Sequence, residues 1–269
     1  SSRVNLLADM AAAMRLTGIA RQHDLVHAHG YRAAWVACWA ARWAHRPLIV
    51  TAHNLPPAGG VLVRWALLSG VGRARTIVAV SEAVRMRLRE MGLADDRIVV
   101  IPNGVALSPP QETATKTRAR RKLGLDEAAF VVLAAGRLSP EKGFDTLLRA
   151  VPQVLQSRPD LRLVVCGDGP ERERLSAMIR QLHLTETVQM PGYVASLDHW
   201  YMAADAVAVP SRSEGQGLVA LEAMARGLPV VASRVGGLAE VVADGVTGRL
   251  VAADCAGELA DALIAMARD

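Results

Sequence analysis

SRSEGQGLVALEAMARGLPVVASRVGG, residues 211–237, decides how the rest of the chain is read. Gly215 and Gly217 make a loop whose backbone can approach a ligand closely, and residues 218–225 then carry helix formers in sequence. The loop delivers the unpaired N–H groups of Gly217, Leu218 and Val219 at a helix start, where the positive end of the helix dipole suits a phosphate or diphosphate. Glu214 precedes the glycines, and Glu222 lies a little over one turn into the helix. A carboxylate beside an anion pocket would repel the anion, so each is expected to accept hydrogen bonds from neutral hydroxyls such as those of a ribose or a hexose.

EGQGLVALE, 214–222, followed by AMARGLPVVA, 223–232, resembles the E-x7-E segment of family 4 retaining glycosyltransferases. The resemblance implies the GT-B fold: α/β, with two Rossmann-like domains whose parallel sheets face a cleft. A second phrase of the family, GRLSPEKG at 136–143, implies that Arg137 and Lys142 grip the diphosphate of a nucleotide-sugar donor. By chemistry alone, two cations on a loop at a strand's carboxyl end can neutralise that charge, Arg as a planar fork and Lys as a point charge. The resemblance further assigns Glu222 to the ribose, Glu214 to the transferred sugar, Gly192, Tyr193 and Val194 to the base side, and His53 of TAHN to a cleft position near the sugar. It implies no metal and no cofactor besides the donor itself, and no DxD-type metal motif stands in a suitable loop.

The chain departs from the family pattern in places. Gln216 stands where an aromatic residue is usual between the two glycines, and Ala106 follows IPNGV where an acid is usual. Residues 5–22 read as a helix before the first strand, whereas a Rossmann-type domain usually opens with a strand. The opening strands and a last returning helix of the family are therefore expected to be missing. The expected division is a first domain at 1–108, a linker at 109–122 with two prolines and no large apolar residue, and a nucleotide-sugar domain at 123–269.

Along the first domain, strands are expected at 24–29, 46–54, 76–80 and 97–105, and helices at 31–45, 59–72 and after Ser81, an N-cap. Trp35, Trp39 and Trp43 recur every fourth residue, a stripe read as packing on the sheet. His29 is read as structural. In the second domain, strands at 130–135, 161–166, 188–194, 228–233 and 245–251, with ADAVAVPSRSE at 204–214 as the strand leading into the site, alternate with helices.

Composition bounds the partners. About half of the 269 residues are apolar, enough for a large core. Three widely spaced cysteines suit neither a disulfide framework nor a metal cluster and point to a reducing, cytoplasmic setting. No window has the roughly 18 apolar residues of a membrane span. The net charge of +5 is uneven: residues 1–108 hold 13 arginines, no lysine and 6 acids, or +7, and residues 109–269 come to −2. A basic first half suits an anionic acceptor or an anionic membrane surface at the inner face. Aromatic residues interleaved with basic ones are lacking, which argues against nucleic acid.

The function these readings imply is metal-independent, retaining transfer of a sugar from a nucleoside-diphosphate sugar to a glycan or lipid-linked acceptor. Two alternatives remain open at this point: a catalytically inactive or split nucleotide-binding module, and a sugar-nucleotide epimerase.

Overall fold

The computed structural model describes residues 6–56, 65, 68–107 and 113–267, and the chain divides into two compact units, Ser1–Asn103 and Gly104–Asp269. In the first unit, β1 (Val26–His29), β2 (Leu48–Ala52), β3 (Thr76–Ala79) and β4 (Ile98–Val100) form a parallel sheet in chain order. Its core is aliphatic, with Val50, Ala52, Ile77 and Ala79 fully buried in the strands and Val84 and Leu88 packed on them from the Glu82–Glu90 helix. Ser81 caps that helix as expected, its Oγ accepting from the Val84 N–H at 3.2 Å. The expected helix at 59–72 lies mostly outside the described residues.

Helix Tyr31–Ala44 buries Ala34, Ala37, Cys38 and Ala41 in the sheet core, and Trp39, partly buried, packs against the same cluster. Small side chains let this helix sit close to the strands. The indoles take its flank, half-buried, where Trp39 meets Trp35 edge-on with centroids 6.4 Å apart and Trp43 at 6.0 Å. Arg73 lies over the Trp39 ring at 4.6 Å, so the stripe is a row of edge-on and tilted ring contacts with a cation on its middle member.

The second unit is a six-stranded parallel sheet ordered β10-β9-β8-β5-β6-β7. Its strands are β5 (Phe130–Ala135), β6 (Leu161–Cys166), β7 (Val188–Gly192), β8 (Ala206–Val209), β9 (Val230–Ser233) and β10 (Gly248–Val251). All six residues of β5 are buried, because helices cover both faces of the sheet. Phe130, Val132 and Ala134 face the cluster shared with helices Phe144–Ser157, Arg172–Gln181 and Ala256–Met266. Val131, Leu133 and Ala135 face the opposite cluster, which includes Tyr201, Ala220 and Ala223.

The expected linker differs from what is observed. Residues 108–112 lie outside the described residues, and Thr113–Lys122 is a helix docked on the second unit. What holds it is charge rather than apolar area. Asp205, at the start of β8, accepts from Lys116 and, at 2.6 Å, from Arg120, whose guanidinium also donates to the carbonyls of Ala203 and Glu127. Arg120 is buried, whereas Arg118, Arg121 and Lys122 of the same basic run are exposed.

Candidate active site

Strand β5 pairs with β6 on one side and β8 on the other, so the direction of chain progression reverses there. In open α/β sheets that reversal opens a crevice beyond the carboxyl ends of the strands. The loop after β5 carries Arg137 and Lys142, and the loop after β8 carries Ser211, Glu214 and Gly217. The two loops therefore meet, although some seventy residues separate them in sequence.

Their meeting point is the ion pair between Lys142 Nζ and Glu214 Oε2 at 2.6 Å. Ser211 Oγ donates to the same carboxylate oxygen at 3.1 Å. Glu214 is only 9% exposed. Gly217 caps the Leu218–Met224 helix with φ 91°, and a Cβ there would stand 2.4 Å from Leu238 Cδ2 and 3.6 Å from Glu214 Cγ. The intrahelical bonds begin with the N–H groups of Ala220 and Leu221 on Gly217 O, so those of Leu218 and Val219 precede them at the mouth of the helix. Lys142, Glu214 and the helix start are thus one cluster. A Cβ on Gly136 would lie 3.7 Å from Lys142 Cε, which puts the chain at Arg137 against the same lysine.

Arg137 is exposed and lines an open cleft of about 310 Å³ with Gly136, Asp168, Tyr193, Val194 and Leu197. The structure thus brings together two groups read separately from the sequence, the cation after β5 and the segment after β7. Tyr193 is 79% exposed at the rim. Gly192 ends β7 with φ 90°, and its carbonyl accepts from the Gly167 N–H at 2.8 Å. Glu222 Oε2 accepts from Tyr201 Oη at 2.8 Å. A larger cavity, about 550 Å³ and lined by Arg120, Arg158, Asp205 and Arg249, opens at the other ends of the strands and holds none of the expected site residues.

Three site-forming residues escape a reading of the sequence. Arg212 donates its backbone N–H to Glu141 O at 2.8 Å and its guanidinium to Pro140 O, Asp145 and Asp254. It bolts the loop after β8 to the loop that bears Lys142. Asp145 is the buried acceptor of that bolt. Burial alone would raise its pKa, but the hydrogen bond and charge of Arg212, helped by Arg149, hold its carboxyl at about 2. Tyr201 completes the set through Glu222. Asp145 reads in sequence as an acid in a helix's first turn, and nothing near Arg212 in sequence announces a partner 67 residues away.

In the first unit, His53 follows β2 and its Nε2 lies 2.9 Å from His29 Nδ1. His29 was read as structural, yet it is a direct partner of the expected site histidine. The reason is register: parallel pairing sets His29 beside Thr51, so both chains leave the sheet at the same level. His27, its ring 4.3 Å from His29, bonds Thr51 Oγ1 at 2.8 Å. One proton serves the His29–His53 bond, and a second removes its acceptor. Burial, then the charge of neighbouring histidines, lowers the pKa of both His53 and His27 below 6.5. Below that value the unfolded chain binds more protons than the folded one, so stability falls as pH drops through 6.5. Thermal melts from pH 7.5 to 5.5 should show a falling midpoint, less steep in His53→Asn; equal slopes for the two proteins would count against this cluster as the source.

Among the described residues, no helix is long and apolar enough to cross a membrane, and no group of three or more His, Cys, Asp or Glu is placed to hold a metal ion. Two family models match the chain, "Glycosyltransferase Family 4" over residues 2–108 and "Glycosyl transferases group 1" over residues 115–269. D-inositol 3-phosphate glycosyltransferase of Segniliparus rotundus is 38% identical over 251 residues, covering 86% of this chain and 55% of the relative. The Frankia alni protein of the same name is 37% identical over 268 residues, with coverages of 89% and 64%. The chain thus spans 55% and 64% of the length of these two relatives. Among solved structures, Anabaena Alr3699/HepE in complex with UDP-glucose superposes with a TM-score of 0.88 at 28% identity, over 96% of this chain and 72% of that one. Sucrose-phosphate synthase from Thermosynechococcus elongatus gives 0.84 at 26%, over 99% and 71%. With both sheets, the crevice at β5 and β8 and these matches in agreement, the chain belongs to the group 1 and family 4 glycosyltransferases of the GT-B fold.

Proposed function

We propose that the protein transfers a hexose, with retention of anomeric configuration, from a uridine-type nucleoside-diphosphate sugar to a small anionic polyol. The observation that carries this reading is the Lys142–Glu214 pair at the mouth of the Leu218–Met224 helix, beside the cleft lined by Arg137 and Tyr193. In the reaction, the bond from the anomeric carbon to the diphosphate oxygen breaks and an acceptor hydroxyl oxygen bonds that carbon, its proton passing to the departing diphosphate. Negative charge grows on the diphosphate as the bond opens. Arg137, Lys142 and the N–H groups of Gly217, Leu218 and Val219 are placed to stabilise it, since preorganised donors act most strongly where charge develops. Glu214 holds hydroxyls of the transferred sugar and Glu222 those of the ribose. Gly192, Tyr193 and Val194 line the base side. His53 contributes to binding of the sugar or acceptor.

The donor assignment is supported by the UDP-glucose complex of the Anabaena neighbour. For the acceptor, the relatives' name favours D-inositol 3-phosphate over the glycan or lipid-linked acceptor expected from sequence. An anionic polyol also suits the arginine-rich first unit better than a neutral glycan. No metal is needed for this chemistry if the cations supply the charge, and association with an anionic membrane remains part of the proposal only through that same arginine excess.

The test is incubation of the protein with UDP-hexoses, with and without D-inositol 3-phosphate. Acceptor-dependent release of UDP and an α-linked product are expected. Arg137→Ala should lower turnover by about a hundredfold. UDP binding without turnover would support the inactive or split module instead, and conversion of the UDP-hexose without acceptor would support an epimerase.

A further inference from the structure

Tyr201 is 1% exposed, in the middle of the short Asp198–Ala203 helix that precedes β8. A buried phenol is normally given a partner, and here the partner is Glu222 Oε2 at 2.8 Å. Burial, then the charge and hydrogen bond of Glu222, raises the tyrosine pKa, so the phenol keeps its proton and donates it. Glu222 is half-buried and accepts this bond with one oxygen, which fixes the carboxylate plane and directs the other oxygen elsewhere. A second device holds the tyrosine. The Arg226 guanidinium stacks over its ring at 4.8 Å while donating to Glu222 O at 3.0 Å and to Asp198 Oδ1 at 2.6 Å. One arginine thereby ties the ring to the backbone of Glu222 and to Asp198.

A stability role alone needs only the apolar ring in its cluster with Cys166, Ala220 and Ala223. Phenylalanine would fill that space. The hydroxyl adds a buried polar group that reaches Val219 O at 3.4 Å and Glu222 Oε2 at 2.8 Å, and the shorter bond falls on the acid that the proposed function places at the ribose. A vicinal diol is read by a carboxylate oxygen held at a fixed angle, because a freely rotating carboxylate must be ordered when the ligand binds.

We propose that Tyr201 is a positioning residue that sets the preference of the donor site for a ribose diol by fixing the orientation of Glu222. The inference rests on the reading of Glu222 as the ribose ligand. Tyr201 itself touches no substrate; it acts through the carboxylate.

The experiment measures equilibrium binding of UDP and of 2′,3′-dideoxyuridine diphosphate to the unmodified protein, Tyr201→Phe and Glu222→Ala. The unmodified protein should prefer UDP. Tyr201→Phe should shrink that preference by about five- to tenfold, the net worth of one ordinary hydrogen bond, while affinity for the dideoxy compound stays within about twofold. Equal weakening of both ligands would reduce Tyr201 to a structural role, and unchanged preference would overturn the proposal. Glu222→Ala separates the two levels. If it abolishes the preference while Tyr201→Phe keeps it, only the positioning role fails. If it leaves the preference intact, the ribose reading of Glu222 fails and takes this inference with it. Thermal midpoints of all three proteins confirm that the folded state is being compared.

Discussion

Lys142→Ala is expected to lower turnover by at least about a hundredfold, equivalent to roughly 2.7 kcal/mol of transition-state stabilisation. The lysine is a compact charge at the meeting of the two site loops, 2.6 Å from a Glu214 carboxylate that is itself nearly buried. Removing one member of such a pair leaves the other uncompensated, which costs stability as well as activity. Both effects would look alike in a simple activity assay. The double variant Lys142→Met, Glu214→Gln separates them, because it removes both charges while keeping the volume. Its thermal midpoint should recover most of what Lys142→Ala loses, and its turnover should stay low. Turnover within about threefold of the unmodified protein, in either variant, would remove the diphosphate role from Lys142.

Gly143→Ala should be strongly destabilising, costing about 3 kcal/mol or more. Gly143 ends the short Pro140–Lys142 turn and caps helix Phe144–Ser157 with φ 64°, in the left-handed region that an L side chain adopts at a cost of about 1–2 kcal/mol. A Cβ there would stand 2.0 Å from Pro210 O, and that contact is with backbone, which cannot swing aside. Pro210 leads from β8 into the loop of Ser211, Arg212 and Glu214. Relief of the collision therefore pushes apart the two loops that Arg212 and the Lys142–Glu214 pair hold together. The expected readout is a large drop in thermal midpoint with residual activity falling at least as far. Gly227, with φ 73° and nothing within 4 Å of a Cβ, is the control: Gly227→Ala should cost only the conformational term, about 1–2 kcal/mol. Equal midpoints for the two variants would show that the approach of the loops does not govern stability.

The fold class was legible in the sequence because its signals are local, and the same stretches carry the residues expected at the site. Strand patterning, the glycines of 214–217 and the spacing of Glu214 and Glu222 are properties of short stretches, and the resemblance of GRLSPEKG and EGQGLVALE supplied roles for Arg137 and Lys142. Elsewhere the surroundings add what a local pattern lacks. The 113–122 stretch reads as linker because it lacks large apolar residues, yet an acid 83 or more residues further on, Asp205, binds it as a helix through Lys116 and Arg120. The tryptophan repeat in Tyr31–Ala44 predicts a packing face, and Trp39 does pack on the core, but close approach of helix to sheet selects alanines for its fully buried centre.

Sequence alone therefore determined that this chain is built of two α/β units and named the residues expected at its site, since periodicity, glycine conformation and helix capping act within a few residues. Only the tertiary structure decided which of those residues work together. The reversal of strand order at β5 brings Lys142 to Glu214, and packing across the sheet gives Glu222 to Tyr201 and Asp145 to Arg212. The parallel register of β1 and β2 gives His53 to His29. Such pairings depend on strand order and register, which are settled by competition among all the strands for the same core, and no short stretch of sequence records the outcome.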